Sequence, residues 1–185
     1  MSAASGPVLR GALDAVFLDR DGTINAKAPE GAYILSPRQV RLLPGAGGAV
    51  HLLNQAGALV LVVTNQRGVA LGHMTTADVA AVNAELDRRL RRFGAKVDAY
   101  YVCPHEAGTC DCRKPAPGLL AQAFRDHPKL RPDRCVMVGD SETDVRAGLA
   151  AGCRAVRLGP PGTASEAGEV HSSLGTTVAA LLAQD

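Results

Sequence analysis

Aromatic residues are scarce in this sequence. Three phenylalanines, three tyrosines and no tryptophan make up 3% of the chain. Hydrophobic residues still reach 46%, so alanine, valine and leucine have to build the core. No apolar run approaches the roughly 20 residues of a membrane-spanning helix, which argues against an integral membrane protein. The net charge of +2 is too small to argue for nucleic acid or an acidic membrane surface as a partner. The five cysteines are poor evidence for disulfides, because three of them cluster beside a histidine. A cytoplasmic enzyme fits best. A chain of 185 residues suits one domain, 1–185, with residues 1–11 as a loose leader of small residues.

What the chain does have is a run of β-formers, Val16-Phe17-Leu18, that ends abruptly in Asp19-Arg20-Asp21-Gly22-Thr23. A buried parallel strand looks like this when it delivers acidic groups to its carboxyl end, where open α/β sheets bind their ligands. Strand alternation puts Asp19 and Asp21 on one face and turns Arg20 away. Two carboxylates this close repel unless a cation or a shared proton relieves them, and a hard cation with oxygen ligands, Mg²⁺, is the natural solution. One carboxylate can then act as nucleophile and the other as proton carrier.

The rest of the chain alternates strands and helices without repeats. An irregular stretch from Ala26 to Pro44 leaves the acidic end of the first strand and holds Tyr33, either a substrate contact or a packing anchor. A helix is expected over Gly45–Gln55 and a buried strand over Ala58–Val63, running into Thr64-Asn65-Gln66-Arg67. Thr75 or Thr76 is expected to cap the next helix, with Asp78 positioned to complete a capping box from Thr75. Strands follow at Val97–Val102, Cys135–Val138 and Ala155–Leu158, with a helix from about Pro117 to Asp126 and another that ends at Ala151 after the polar run Gly139 to Asp144. A short strand near Val170 and a helix over Thr177–Ala183 complete the reading. The expected fold is three-layer α/β, Rossmann-like, with a parallel sheet. Neither the segment between Thr23 and Thr64 nor that from Thr64 to Lys114 has room for a further domain, so a site at the strand ends should be open and shaped by loops.

A second constellation is Cys103-x-His105, then Cys110-x-Cys112. Three thiolates and an imidazole form a closed tetrahedral set, the donor chemistry of structural Zn²⁺. The loop over 103–112 is too polar to order itself by burial, and it leads directly into Arg113-Lys114-Pro115. A zinc ion there would fix the side chains that follow. Cys135 and Cys153 read as small core residues.

Asp19/Asp21, Thr64, Lys114 and Asp140/Asp144, in that order, resemble the four motifs of the haloacid dehalogenase (HAD) superfamily of phosphotransferases. The Cys/His set followed by Arg113-Lys114-Pro115 resembles one branch, the zinc-containing heptose bisphosphate and histidinol-phosphate phosphatases. The resemblance covers about residues 13 to 158. It implies a Mg²⁺-dependent phosphatase in which Asp19 attacks phosphorus, forming an aspartyl-phosphate, while Asp21 serves as acid and then as base. Thr64 and Lys114 would hold the phosphoryl oxygens. Asp19, the Asp21 carbonyl and Asp140 would bind Mg²⁺, and Asp144 would orient Lys114 or the metal's waters. Tyr33, Asn65, Gln66, Arg67 and Arg113 would contact the substrate.

The sequence departs from that branch in three places. The loop between His105 and Cys110 is short, and Ser141 stands where some members carry lysine. Arg67 replaces a small polar residue while Leu71 replaces an arginine. Together Arg67 and Arg113 can form an anion site for a second phosphate, which favours a D-glycero-D-manno-heptose 1,7-bisphosphate over histidinol phosphate. A zinc-organised interaction module with a vestigial site is the remaining alternative, and the intact acidic set argues against it.

Overall fold

A computed structural model of the chain describes residues 13–183, and the expected leader lies outside them. The strands are β1 (Ala15–Leu18), β2 (Leu59–Asn65), β3 (Ala99–Cys103), β4 (Cys135–Gly139), β5 (Arg154–Leu158) and β6 (Glu169–His171). They form one parallel sheet in the order β3-β2-β1-β4-β5-β6. Between them run helices α1 (Ala46–Gln55), α2 (Thr76–Leu90), α3 (Gly118–Asp126), α4 (Glu142–Ala150) and α5 (Leu174–Leu182). With the first strand central and the order reversing beside it, β1 and its neighbours open a crevice at their carboxyl ends.

The central strands are uninterrupted apolar runs because both of their faces are buried. Val16, Leu18, Val60, Val62, Val136 and Val138 pack into one core with α1, α2 and α5. Ala15, Phe17, Leu61, Val63, Cys135 and Met137 face the other core, under α3. Small side chains fill both layers, with an edge-on contact between Phe17 and Phe124 at 5.5 Å. Cys135 and Cys153 are buried there, as expected.

Helix α2 starts where the sequence indicates: Thr75 Oγ1 accepts from the Asp78 amide, and Asp78 accepts from the Thr75 amide. Helix α5 starts three residues earlier than its apolar pattern suggests. The Ser173 hydroxyl accepts from the Thr176 amide and caps the helix there. The chain between β1 and β2 holds a loop, a 3-10 turn at Pro37–Gln39 and α1, while β2 leads to β3 through α2 and the 3-10 turn at Arg91–Phe93. No separate cap is present among the described residues.

Candidate active site

Asp19 leaves β1 at the mouth of the crevice, where Lys114 reaches it from the far side of β2. The Lys114 ammonium donates to Asp19 Oδ1 at 2.8 Å and to the Val63 carbonyl at 2.7 Å, and lies 2.6 Å from Asp144 Oδ1. Asn65 places this lysine by clamping its backbone, donating to the Lys114 carbonyl at 3.0 Å and accepting from its amide at 3.1 Å. Burial works against the Lys114 charge, but Asp19 and Asp144 outweigh it and hold the group above its usual range. Burial also pushes the Asp19 carboxyl up to about 7, against the pull of Lys114. Asp144 closes the arrangement from the start of α4, where its second oxygen accepts from the Ser141 amide and hydroxyl at 3.0 and 2.6 Å. One carboxylate thus caps the helix and orients the lysine.

Arg20 is the first correction to the sequence reading. It is not turned away from Asp21: its side chain is fully buried and clamps Asp21 through Nε at 3.2 Å and Nη2 at 2.9 Å. Regular strand geometry ends at Leu18, so alternation no longer governs the residues after it. The chain turns back there, with the Ile24 and Asn25 amides donating to the Arg20 carbonyl. The remaining Arg20 nitrogen, Nη1, donates to Asn83 Oδ1 of α2 at 2.9 Å. Asp21 also accepts from Asn25 Nδ2 at 2.8 Å and Gln66 Nε2 at 3.0 Å, and Gln66 bridges onward to Thr64 Oγ1 at 2.8 Å. Burial works to raise the Asp21 carboxyl, but Arg20, Asn25 and Gln66 together hold it below its usual range.

The carboxylates that converge are Asp19, Asp140 and Asp144, each offering an oxygen within 4.8 Å of the others. The Asp21 carboxylate stands outside this set, in its clamp. Asp140 Oδ1 is buried with no hydrogen-bond partner, while its other oxygen meets the Lys27 ammonium. Burial raises the Asp140 carboxyl despite that lysine. Three converging carboxylates and an orphaned oxygen fit a hard divalent cation. Gly22 makes the approach possible: its φ of +92° lies in the left-handed region, and a Cβ there would meet Asp140 Oδ2 at 2.2 Å.

Four further donors meet on the loop before Lys114. Cys103, His105, Cys110 and Cys112 offer ligand atoms within 4.8 Å of one another. The Cys112 sulfur lies 3.3 Å from each of the other two sulfurs, and Cys103 and Cys110 are 3.6 Å apart. His105 Nδ1 stands 3.2 Å from Cys112 Sγ and 3.8 Å from Cys103 Sγ. A zinc tetrahedron with Zn–S of about 2.3 Å has S···S edges of roughly 3.8 Å, so the set needs only slight expansion. Burial pushes the Cys112 thiol up to about 12 and raises Cys103 as well, whereas at Cys110 burial is outweighed by hydrogen bonds from Cys112, the Arg113 amide and Cys103, which bring it down to about 7. A cation would stabilise all three as thiolates. The residues could hold zinc.

The two arginines expected to bind an anion both flank this loop, and a carboxylate competes for one of them. Arg67 Nε pairs with Glu106 Oε1 at 2.6 Å, and the ion pair is largely exposed. Arg113 Nη1 is buried without a hydrogen-bond partner. Beside Asp21 opens a cleft of 450 Å³, walled by the loop over 26–34, with Tyr33, Asn65 and Gln66 among its lining residues. Tyr33 lines the cleft and also packs 5.7 Å from the His73 ring.

The sequence missed Arg20, Asn25, Lys27 and Asn83. Asn83 alone left a signal: it is a polar residue beside the buried stripe Val79, Val82, Leu86 and Leu90 of α2.

A parallel sheet that gathers Asp19, Lys114, Asp140 and Asp144 at its carboxyl ends defines a hydrolase of the HAD class, and residues 111–171 match the HAD-hydrolase-like family. The chain is 39% identical over 150 residues to the D-glycero-alpha-D-manno-heptose-1,7-bisphosphate 7-phosphatase of Mycobacterium tuberculosis, covering 78% of each. It is 37% identical to the D-glycero-beta-D-manno-heptose-1,7-bisphosphate 7-phosphatase of Rhodopseudomonas palustris, over 78% of this chain and 82% of that one. Its fold superposes on the crystal structure of D,D-heptose 1,7-bisphosphate phosphatase from B. bronchiseptica, complexed with magnesium and phosphate. That match has a TM-score of 0.81 at 32% identity, over 94% of this chain and 100% of the other. The chain belongs to the heptose-1,7-bisphosphate 7-phosphatase family of HAD phosphatases.

Proposed function

We propose that this protein is a cytoplasmic, Mg²⁺-dependent phosphatase that removes the 7-phosphate of D-glycero-D-manno-heptose 1,7-bisphosphate. The observation that carries the reading is the junction of the Asp19–Lys114–Asp144 cluster with the Tyr33-lined cleft, in a chain related to such enzymes. Asp19 would attack phosphorus while the bond from phosphorus to the sugar oxygen breaks, and that oxygen would take a proton from Asp21. Asp21 would then take a proton from the water that attacks the aspartyl-phosphate, releasing inorganic phosphate and restoring Asp19. Arg20 and Gln66 orient Asp21 for both steps. The substrate's own negative charge raises Asp21 toward the acid form that the first step requires. Lys114 and the Thr64 hydroxyl would hold the phosphoryl oxygens, where preorganised charge is worth most. Asp19 and Asp140 would hold Mg²⁺, which supplies charge neutralisation at the transferring group. Among the described residues no helix is long and apolar enough to cross a membrane.

The test is parallel steady-state kinetics on both anomers of the heptose bisphosphate and on histidinol phosphate. One of the two bisphosphates is expected to give the highest kcat/KM, and a preference for histidinol phosphate would overturn the assignment.

The zinc reading has its own check. Freshly purified protein is expected to contain about one Zn²⁺ per chain, bound by the closed Cys103/His105/Cys110/Cys112 set. Cys110→Ser should loosen the loop leading to Lys114 and raise KM. Metal analysis that finds no zinc before any chelator is used would remove this role.

Arg67 tests the second phosphate. With Arg113 it stands beside the loop that carries Lys114, and a phosphate would draw its guanidinium away from the exposed Glu106. Arg67→Ala should lower kcat/KM for the bisphosphate by about ten- to a hundredfold, or about 1.5–3 kcal/mol, and change a monophosphate little. Equal losses on both substrates would assign Arg67 to the reacting phosphate or to the fold.

A further inference from the structure

On the outer side of α2, away from the catalytic carboxylates, two adjoining pockets share Arg41 and Arg89 in their walls. One measures 290 Å³ and also takes in Arg92 and Phe93. The other measures 390 Å³ and adds Arg38 and Glu85. Four guanidinium groups therefore face a single carboxylate in one groove. That carboxylate is already spent: Glu85 accepts from Arg88 at 2.6 and 2.8 Å and from Arg89 at 2.7 Å. Arg38, Arg41 and Arg92 have no carboxylate partner among the described residues. Arg41 is nonetheless held in place, because its Nη1 donates to the Arg38 and Val40 carbonyls at 2.5 and 2.9 Å.

The pattern is more than a basic helix end. Arg88 and Arg89 suit the negative end of the α2 dipole, but Arg38 and Arg41 come from a different segment and share the groove wall with Arg89. Converging guanidinium groups repel one another, and they recover that energy when phosphate oxygens accept from several of them at once. Phe93 stands at the Arg92 end with its ring half exposed and packed against Gly47 of α1. An exposed ring beside unpaired guanidinium groups offers a planar ligand a surface on which to stack.

We infer that this groove is a second ligand site, for a small multiply phosphorylated molecule with a planar ring, of the nucleoside diphosphate class. The two elements that form it are also linked by hydrogen bonds to the catalytic site and its loop. Helix α2 carries Asn83, the partner of Arg20 and through it of Asp21. The Arg41 carbonyl accepts from the Ala26 amide at the start of the cleft loop, which then passes through Tyr33 on its way to Arg38. A ligand that draws Arg38, Arg41 and Arg92 together bears on both, so occupancy should alter KM for the phosphatase substrate.

The test uses calorimetric titration of the full chain with ADP, GDP and inorganic pyrophosphate, beside phosphatase assays with and without ADP. ADP or GDP is expected to bind with Kd below about 1 mM and to shift KM at least twofold. R41A/R92A should weaken that binding tenfold or more and abolish the KM shift, with kcat in the absence of nucleotide unchanged. Phe93→Ala should weaken ADP but not pyrophosphate. Nucleotide affinity unchanged in R41A/R92A would place the binding in the catalytic cleft and overturn the inference. So would pyrophosphate binding as tightly as ADP, a KM that ignores bound ADP, or an oligonucleotide binding where ADP does not. These readouts do not depend on which phosphate ester the enzyme hydrolyses.

Discussion

Asp19→Asn is expected to reduce turnover by a factor on the order of 10⁴ or more while the fold survives. An amide is a poor nucleophile toward phosphorus, and it removes one of the anionic oxygens that converge with Asp140 and Asp144. The structural cost should be small. Lys114 keeps its 2.6 Å contact with Asp144 Oδ1 and its bond to the Val63 carbonyl, so the ammonium stays placed and charged. Asn at this position also removes a carboxyl that burial has already pushed up to about 7, so no buried charge is left without a partner. Two measurements together separate the role from mere damage. Acid-quenched enzyme incubated with radiolabelled substrate should carry label on the wild-type chain and none on Asp19→Asn. Thermal melting of the two proteins should nearly coincide. Label retained by Asp19→Asn would move the covalent step to another residue.

Asp21→Asn differs for a reason visible in the clamp. It leaves the buried Arg20 guanidinium without its charge partner, so it disturbs α2 through Asn83 as well as proton transfer. A loss of activity there mixes chemistry with packing, whereas Asp19→Asn reports on chemistry.

The three converging carboxylates, which sequence makes legible, share one property. Each sits immediately after an apolar strand or at the start of a helix, so its position follows from the fold class. Asp19 follows β1, Asp140 follows β4, and Asp144 lies in the first turn of α4. The central strands are equally legible, because burial on both faces turns β1, β2 and β4 into unbroken apolar runs. Edge strand β3 is only partly buried and begins at Ala99, two residues later than its apolar pattern suggests. What sequence hides are pairings across the chain. Arg20 meets Asn83 across 63 positions, and nothing local to either residue announces the other. Arg67 presents a free guanidinium in the sequence, yet in the fold it is engaged by Glu106 of the loop over 103–112. Lys27 belongs to an irregular loop with no periodicity, so its contact with Asp140 emerges only when the loop is seen folded back over Gly22.

Lys114→Met should injure both stability and catalysis, and pH should separate the two. The ammonium is 2% exposed and stands between Asp19 and Asp144, whose side chains are 12% and 1% exposed. Removing one member of a buried ion pair leaves an uncompensated charge and typically costs about 3–5 kcal/mol. For a chain of this size that corresponds to a fall in Tm of roughly 6–20 °C. Turnover should drop about 10²–10³-fold as the phosphoryl group loses its buried cation. The pH dependence follows from the sign of the Asp19 shift. Its carboxyl stands at about 7 in the fold against 3.8 in the unfolded chain even with Lys114 present, and it must rise further without it. A carboxyl raised in the fold takes up its proton there first, so its burden on stability grows as pH climbs from 3.8 toward the folded value and is relieved as pH falls. The stability deficit of Lys114→Met relative to wild type should therefore be large at pH 8 and shrink markedly by pH 5. Lost turnover should not return at pH 5, because protonated Asp19 is no nucleophile. Denaturant unfolding of both proteins at the two pH values, without added divalent cation, makes the comparison. A deficit below about 1 kcal/mol at pH 8, or an equal deficit at both pH values, would show that Lys114 does not carry the charge of this pair of carboxylates.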